Sequence, residues 1–287
     1  MKLSVILPAF NAADTIGIQL EALARQSWDG PWEVIVADNG STDETRSIVE
    51  QYQDRLPNFR IVDASDRRGA AHARNVGVRH AAGDALLFCD ADDEVAPGWL
   101  AAMGTALTKH DFVASRLEAE KLSKPWALTA RGCPQQNGLQ EYKYPPYLSH
   151  AASAGLGVKR WIHEVVDGFD EALYKLMDTD YCWRIQLAGT ELHFVPDALV
   201  HMRFRDTPAG LYRQARQWGE YNVKLYKRYR QLGMPKVSWT KPVGRWFFIL
   251  SRFPHVWSPH KRGRWLKDFN WSLGRLIGCI KYRVLAP

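Results

Sequence analysis

The sequence is poor in cysteine and has no long apolar run, and each shortage narrows what the chain can be. Its 287 residues hold four cysteines, Cys89, Cys133, Cys182 and Cys279, with no C-x-x-C spacing among them. That pattern argues against a zinc site or a disulfide framework and fits a reducing cytoplasm. The strongest apolar stretches, Ala85 to Cys89 and Trp246 to Leu250, are strand-sized. Spanning a bilayer takes roughly 20 such residues. The first residues lack a basic segment followed by an apolar run, so no secretory signal is expected. There is no internal repeat, no low-complexity tract, and no Ser-His-Asp or Cys-His arrangement for nucleophilic catalysis. What is present is ordinary for a globular chain: 46% hydrophobic and 24% charged residues, which excludes wholesale disorder.

Acidic residues are scarce in one part of the chain. Residues 206–287 carry 17 Lys and Arg against Asp206, Glu220 and Asp268 alone, whereas residues 1–205 carry 21 basic and 28 acidic residues. The net charge of +7 therefore joins an acidic body to a strongly basic tail. Half of the 12 tryptophans fall in that tail: Trp218, Trp239, Trp246, Trp257, Trp265 and Trp271.

The body opens with alternating strand and helix signals. Lys2 to Leu7, Trp32 to Ala37, Phe59 to Val62 and Ala85 to Cys89 read as strands. Asp14 to Gln26 and Ala70 to Ala82 read as helices, as does a segment whose apolar face is Ile48, Val49 and Tyr52. Ser41 to Glu44 matches a capping box, and Pro97 is expected to open a further helix. This alternation predicts a mostly parallel sheet covered on both faces. Residues 118–149, with Pro125, Pro134, Pro145 and Pro146, read as a long irregular loop. Beyond it, Gly155 to Lys159, Leu192 to Val195 and Ala198 to Met202 suggest strands, and Asp178 to Leu187 a helix. Two helical stripes follow: Leu211, Ala215, Trp218, Leu225, Tyr229 and Leu232, then Leu266, Phe269, Leu273, Leu276, Ile280 and Val284.

Ligands of parallel sheets bind beyond the carboxyl ends of the strands. Those ends here are Pro8-Ala9-Phe10-Asn11, Asp38-Asn39-Gly40 and Asp90-Ala91-Asp92-Asp93. Two carboxylates one residue apart can converge on a hard divalent cation, Mn²⁺ or Mg²⁺, although a solvated acidic turn before a helix has the same letters. Asp38 can accept from a base edge or a ribose hydroxyl, or serve as a turn residue. Arg68, before Gly69, can meet phosphate charge or sit on the surface. Asp178 and Asp180 can cap a helix, or one can act as general base toward an acceptor hydroxyl. His201 at a strand end is a metal-ligand candidate beside a plain structural reading.

In chain order, ILPAFN (6–11), VIVADNGSTDET (34–45), ARNVGVRHAAGDALLFCDADD (73–93), GFDE (168–171) and DTDYCWRIQLAG (178–189) resemble family-2 glycosyltransferases of the GT-A fold. The resemblance spans about residues 2–205. It implies a Rossmann-like α/β sheet, a nucleotide-sugar donor (UDP-linked by family habit), a divalent metal, and inverting transfer to a hydroxyl. Matched position by position, it implies nucleoside contacts at Pro8, Ala9, Phe10, Asn11 and Asp38. It further implies donor contacts at Arg68, Asp90, Ala91 and Asp92, a metal on Asp90 and Asp92 with His201 as a further candidate, and Asp178 as base. Met177 stands where the family carries Glu before that base. The processive Q-x-x-R-W motif is not cleanly present, which favours single-sugar transfer.

The expected organisation is a catalytic domain over 1–205, with the donor side about 1–118 and the acceptor side about 119–205, and a basic helical region over 206–287. The acceptor carrying the hydroxyl is open between a lipid-linked molecule and a small one; the tail's candidate partners are an anionic membrane surface carrying a lipid-linked acceptor, the body itself, or a second copy of the chain, and no nucleic-acid motif accompanies its charge. The cytoplasm, or the inner face of its membrane, is the expected location. Two other classes fit parts of the pattern. A nucleotidyltransferase would carry a Gly-rich, Lys-containing loop near the N-terminus, which is absent, and a non-catalytic nucleotide-sugar binder is the other.

Overall fold

The computed structural model describes residues 1–142, 147–238 and 240–285. Pro145 and Pro146 of the irregular segment, and Trp239 of the basic region, lie outside the described residues. Contacts within the chain group it into two units. One comprises Met1–Lys121, Pro134–Gln140 and Ser149–Arg203; the other comprises Leu122–Cys133, Glu141–Leu148 and Phe204–Pro287.

The first unit begins with the alternation read from the sequence: β1 (Leu3–Ala9), α1 (Ile16–Ala24), β2 (Trp32–Asp38), α2 (Thr45–Glu50), β3 (Arg60–Asp63), α3 (Ala70–His80) and β4 (Ala85–Phe88). It continues through β5 (Glu94–Val95), α4 (Trp99–Leu107) and β6 (Phe112–Glu118). In the second unit, α5 (Pro125–Arg131) follows, and the chain then returns to the first for β7 (Leu156–Lys159), α6 (Arg160–Val165), α7 (Met177–Leu187) and β8 (His193–His201). The strands form one sheet in the order β3-β2-β1-β4-β7-β6-β8-β5. Its first four strands pair in parallel. Beyond them the sheet is mixed: β7 is antiparallel to both β4 and β6, β8 is parallel to β6, and β5 is antiparallel to β8.

Burial explains the strand sequences. Val5, Ile6, Leu7, Val34, Ile35, Val36, Leu86, Leu87 and Phe88 are all fully buried, as a sheet covered on both faces demands. Each such side chain contributes roughly 1.5–3 kcal/mol. Phe88 and Phe112 pack edge-to-face on Tyr181 of α7, and Phe169 stacks on the same ring.

Four local expectations are corrected. Ser41 does not cap α2: Glu44 takes the cap position without a side-chain bond, and the Ser41 hydroxyl accepts instead from the Asn11 amide at 3.1 Å. Pro97 lies two residues ahead of α4, whose cap is Gly98. The stretch 118–149 is not loop throughout, since Pro125 opens α5 as its first residue. The two strands expected across Pro196-Asp197 are one, β8, whose pairing with β6 shifts register between Ser115 and Arg116.

The second unit is helical: α5, α8 (Pro208–Tyr229), α9 (Thr240–Ser251) and α10 (Pro259–Tyr282). The Thr207 hydroxyl caps α8 by accepting from the Gly210 amide at 3.2 Å. Helices α8 and α10 approach so closely that a Cβ on Gly219 would collide with the Trp271 carbonyl, and one on Gly274 with the Arg216 carbonyl. Their shared core holds a buried polar pair, Arg275 donating to Asn222. The Arg131 guanidinium of α5 lies over the Phe204 and Trp218 rings, 4.1 and 4.9 Å from their centroids. Among the described residues, no helix is long and apolar enough to cross a membrane.

Candidate active site

Parallel pairing brings the carboxyl ends of β1, β2 and β4 to one edge. Ala9 and Asp38 are register partners, and the Asn39 amide donates to the Ala9 carbonyl at 2.8 Å. Asp38 is almost fully buried, and its Oδ1 accepts from the Ser41 amide at 3.0 Å, which fixes the carboxylate at the strand end. Pro8 and Ala9 close β1, and Phe10 follows with 48% of its surface exposed. Asn11 adopts a left-handed φ of 46° and its Oδ1 accepts from the Thr42 amide at 2.8 Å, tying the β1 and β2 loops together. Arg68 lies over the Phe10 ring at 4.2 Å and donates to the Asn39 carbonyl at 3.2 Å.

The 90–93 turn carries the densest charge. One carboxylate oxygen from each of Asp90, Asp92 and Asp93 lies within 4.8 Å of the other two. Ala91 between them is buried. Asp93 is held by the Arg203 amide at 2.8 Å, and the Arg203 guanidinium donates to the Asp92 carbonyl at 3.1 Å. Asp90 is ion-paired with Arg74, a residue of α3 with only 2% of its side chain exposed. Three hard oxygen donors in this arrangement fit a hard divalent cation. His201 is not one of the three: its Nδ1 bonds Glu118 at 2.5 Å across the β6–β8 pairing. Burial raises the Glu118 carboxyl, but hydrogen bonds from His201 and from the Lys121 and Glu120 amides outweigh it and hold the group below its ordinary range.

Asp178 sits in the first turn of α7, after Leu176 in a left-handed conformation. One of its oxygens accepts from the Thr179 amide at 2.8 Å. Burial pushes its carboxyl upward; the Thr179 amide and the Arg74 charge oppose that push, and the Asp90 charge adds to it. Asp178, Arg74 and Asp90 therefore share one electrostatic field. Asp180 does other work. Fully buried, it binds Arg184 at 2.8 Å, and that guanidinium also donates to the Val166 and Gly168 carbonyls, locking α7 to the 166–168 turn. Met177, where a Glu was expected, packs against the hydrophobic core.

The positioning roles of two contributors escaped the sequence reading. Arg74 carried a signal, since it shares the inward face of an Ala-rich helix with Ala71 and Val78 and is buried like them. Asn39 was masked by the turn propensity of Asp-Asn-Gly. Its amide donates to the carbonyls of Ala64 at 2.5 Å and Arg67 at 2.8 Å, and its oxygen accepts from the Gly69 amide at 2.8 Å.

A sheet edge of this kind, with side chains from three strand-end loops and carboxylates at two of them, is where open α/β sheets bind their ligands. Residues 4–157 match the profile of Glycosyl transferase family 2, and the chain belongs to that family. It is 31% identical to the Uncharacterized glycosyltransferase YibD of Escherichia coli (strain K12) over 166 residues, 57% of this chain and 46% of that one. The match thus spans about half the length of that relative. Among solved structures, S. aureus TarS 1-349 in complex with UDP-GlcNAc superposes with a TM-score of 0.59 at 20% identity, covering 100% of this chain and 93% of that one. The mannosyltransferase PcManGT from Pyrobaculum calidifontis, in complex with GDP-Man and Mn²⁺, gives 0.61 at 21% identity, covering 99% and 76%. These likenesses fix the fold as GT-A.

Proposed function

We propose that this glycosyltransferase moves one sugar from a nucleotide-sugar donor, UDP-linked, to an acceptor hydroxyl with inversion at the anomeric carbon. The observation that carries the reading is the convergence of Asp38 and the 90–93 carboxylates at one sheet edge, with Arg74, the ion-pair partner of Asp90, also acting on the Asp178 carboxyl. Asp38 receives hydrogen bonds from the nucleoside, against the loop of Pro8, Ala9, Phe10 and Asn11. Arg68 meets the donor's phosphate charge. Asp90, Asp92 and Asp93 would hold Mn²⁺ or Mg²⁺, which when bound neutralises charge building on the diphosphate leaving group. Asp178 takes the proton of the acceptor hydroxyl as its oxygen attacks the anomeric carbon on the face opposite the diphosphate. Its upward-shifted carboxyl is a stronger base than an exposed aspartate. The positions of these groups supply most of the rate gain.

The basic, aromatic C-terminal unit is read as the part that meets an anionic membrane surface, where the acceptor is lipid-linked. Incubation with UDP-sugars, Mn²⁺ and an acceptor panel tests the reaction. Release of a nucleoside diphosphate that depends on acceptor and stops with EDTA is the expected result. Pyrophosphate release from a nucleoside triphosphate would instead mark a nucleotidyltransferase. Donor binding without turnover on any acceptor would mark a binding protein.

A further inference from the structure

The C-terminal unit contains a cavity of about 390 Å³ where the end of α9, the turn after it and the first half of α10 come together. Its rim carries Arg252, Lys261 and Arg264, with His255 and His260 beside them. Among the described residues none of the three cations is ion-paired with a carboxylate. One acid lines the cavity, Asp268, and it faces Lys267 at 3.6 Å. The walls are held firmly. Trp265 donates to the Ile249 carbonyl at 2.8 Å and stacks on Phe269, and Arg252 lies over the Phe248 ring at 3.8 Å. Three like charges gathered around a cavity repel one another, and an anion entering it relieves that repulsion.

The same helix carries a second unexplained feature. On one side of α9, Ile249 is buried and Trp246 packs edge-to-face on Phe269. On another side Val243, Phe247 and Leu250, spaced three and four residues apart, are exposed at 60%, 74% and 62%. Such a stripe costs hydration free energy in water. Trp257, 71% exposed in the following turn, extends the exposed apolar surface. Helix α9 is thus apolar on two faces, one facing α10 and one facing outward, beside a cationic cavity. An apolar stripe flanked by basic residues is the pattern of a segment lying in a membrane interface.

We infer that the cavity receives the phosphate head group of an anionic membrane lipid while Val243, Phe247 and Leu250 enter the acyl region beside it. This rests on the reading that the C-terminal unit meets a membrane, and it adds a defined site to what diffuse charge alone would give. The full chain is floated through a density gradient with phosphatidylcholine vesicles, or with the same vesicles doped with phosphatidic acid. The wild-type chain floats with the doped vesicles and far less with phosphatidylcholine alone. Arg252→Gln/Lys261→Gln/Arg264→Gln lowers binding about a hundredfold, from about 1 kcal/mol per basic residue. Arg213→Gln/Lys236→Gln/Arg283→Gln removes the same charge from exposed positions outside the cavity and lowers it by much less. Phe247→Ser/Leu250→Ser abolishes flotation while the melting temperature stays unchanged, because both side chains are exposed. Equal losses in the two triple variants overturn the head-group site and leave the membrane reading standing. No flotation of the wild type with either vesicle overturns both. Release from the vesicles by inorganic phosphate at low concentration assigns the cavity to the free anion, which also overturns the lipid site.

Discussion

Removing the positive charge of Arg74 is the sharpest test of how the candidate site is held. Arg74→Met keeps length and apolar contact but leaves Asp90 without its ion pair. Breaking a buried pair by deleting one partner typically costs about 3–5 kcal/mol. Asp90 retains 30% exposure, so water recovers part of its hydration and the lower end applies. The lost contact of the guanidinium with the Phe169 ring, 5.6 Å away, adds about 0.5 kcal/mol. A loss of about 3 kcal/mol corresponds to a fall of roughly 6–12 °C in Tm for a domain of this size. The same variant makes a second, opposite demand. Without Arg74 the 90–93 carboxylates carry one more uncompensated negative charge, so a divalent cation should bind them more tightly. The rise in Tm on adding Mn²⁺ should therefore be larger in Arg74→Met than in wild type. Differential scanning fluorimetry with and without Mn²⁺ reads both quantities. A variant that melts like wild type, or one whose Mn²⁺ response is equal or smaller, would refute the reasoning.

Further outcomes follow from other residues. Asp178→Asn should fold and bind donor normally while nucleoside diphosphate release falls by orders of magnitude; near-normal turnover removes Asp178 as base. His150 and His163 are buried and each held down to about 4 by burial, with Arg160 and Arg184 also acting on His163. The unfolded chain therefore takes up protons below about pH 6.5 that the folded chain refuses. Stability is full above that pH and falls toward pH 4, by about 2 kcal/mol per histidine at pH 5. Urea titrations at pH 7 and pH 5 measure the loss, which should shrink in His150→Gln/His163→Gln. Gly274→Ala forces α8 and α10 apart and should cost at least 1–3 kcal/mol. Gly244→Ala, with open space around it, should gain up to about 1 kcal/mol from helix propensity; calorimetry showing equal effects would deny the close crossing.

The parts of the fold legible in sequence are those whose physics is local. From β1 to β4 the periodicity alternates cleanly between strand and helix, and strand-end carboxylates such as Asp38 and Asp90 announce themselves by position. Strand β6 escaped because FVASRLE mixes buried Ser115 with half-buried Arg116, and because it finds its partners β7 and β8 far along the chain. Helix α5 lies in a segment whose prolines suggested loop. Yet Pro125 occupies its first turn, where a missing N–H costs nothing. The capping box at Ser41 matched the pattern but lost to a longer-range partner, Asn11. In the site itself, Asp90, Asp92 and Asp178 were visible as letters, whereas the pairing of Arg74 with Asp90 depends on how α3 packs on β1 and β2.

The three hydrogen bonds of Asn39 bear on how this site can diversify. They link one side chain to the backbone of Ala64, Arg67 and Gly69, and backbone is the same whatever residue carries it. The course of the loop ahead of α3 is thus set largely through its backbone, to which the Arg68 and Asp66 side chains add bonds to the Asn39 carbonyl and to His72. Ser65, exposed in that loop, can exchange one chemistry for another without dismantling the edge that presents it. A family member could alter which ligand it prefers through single substitutions there, each a short evolutionary step, so long as Asn39 is kept.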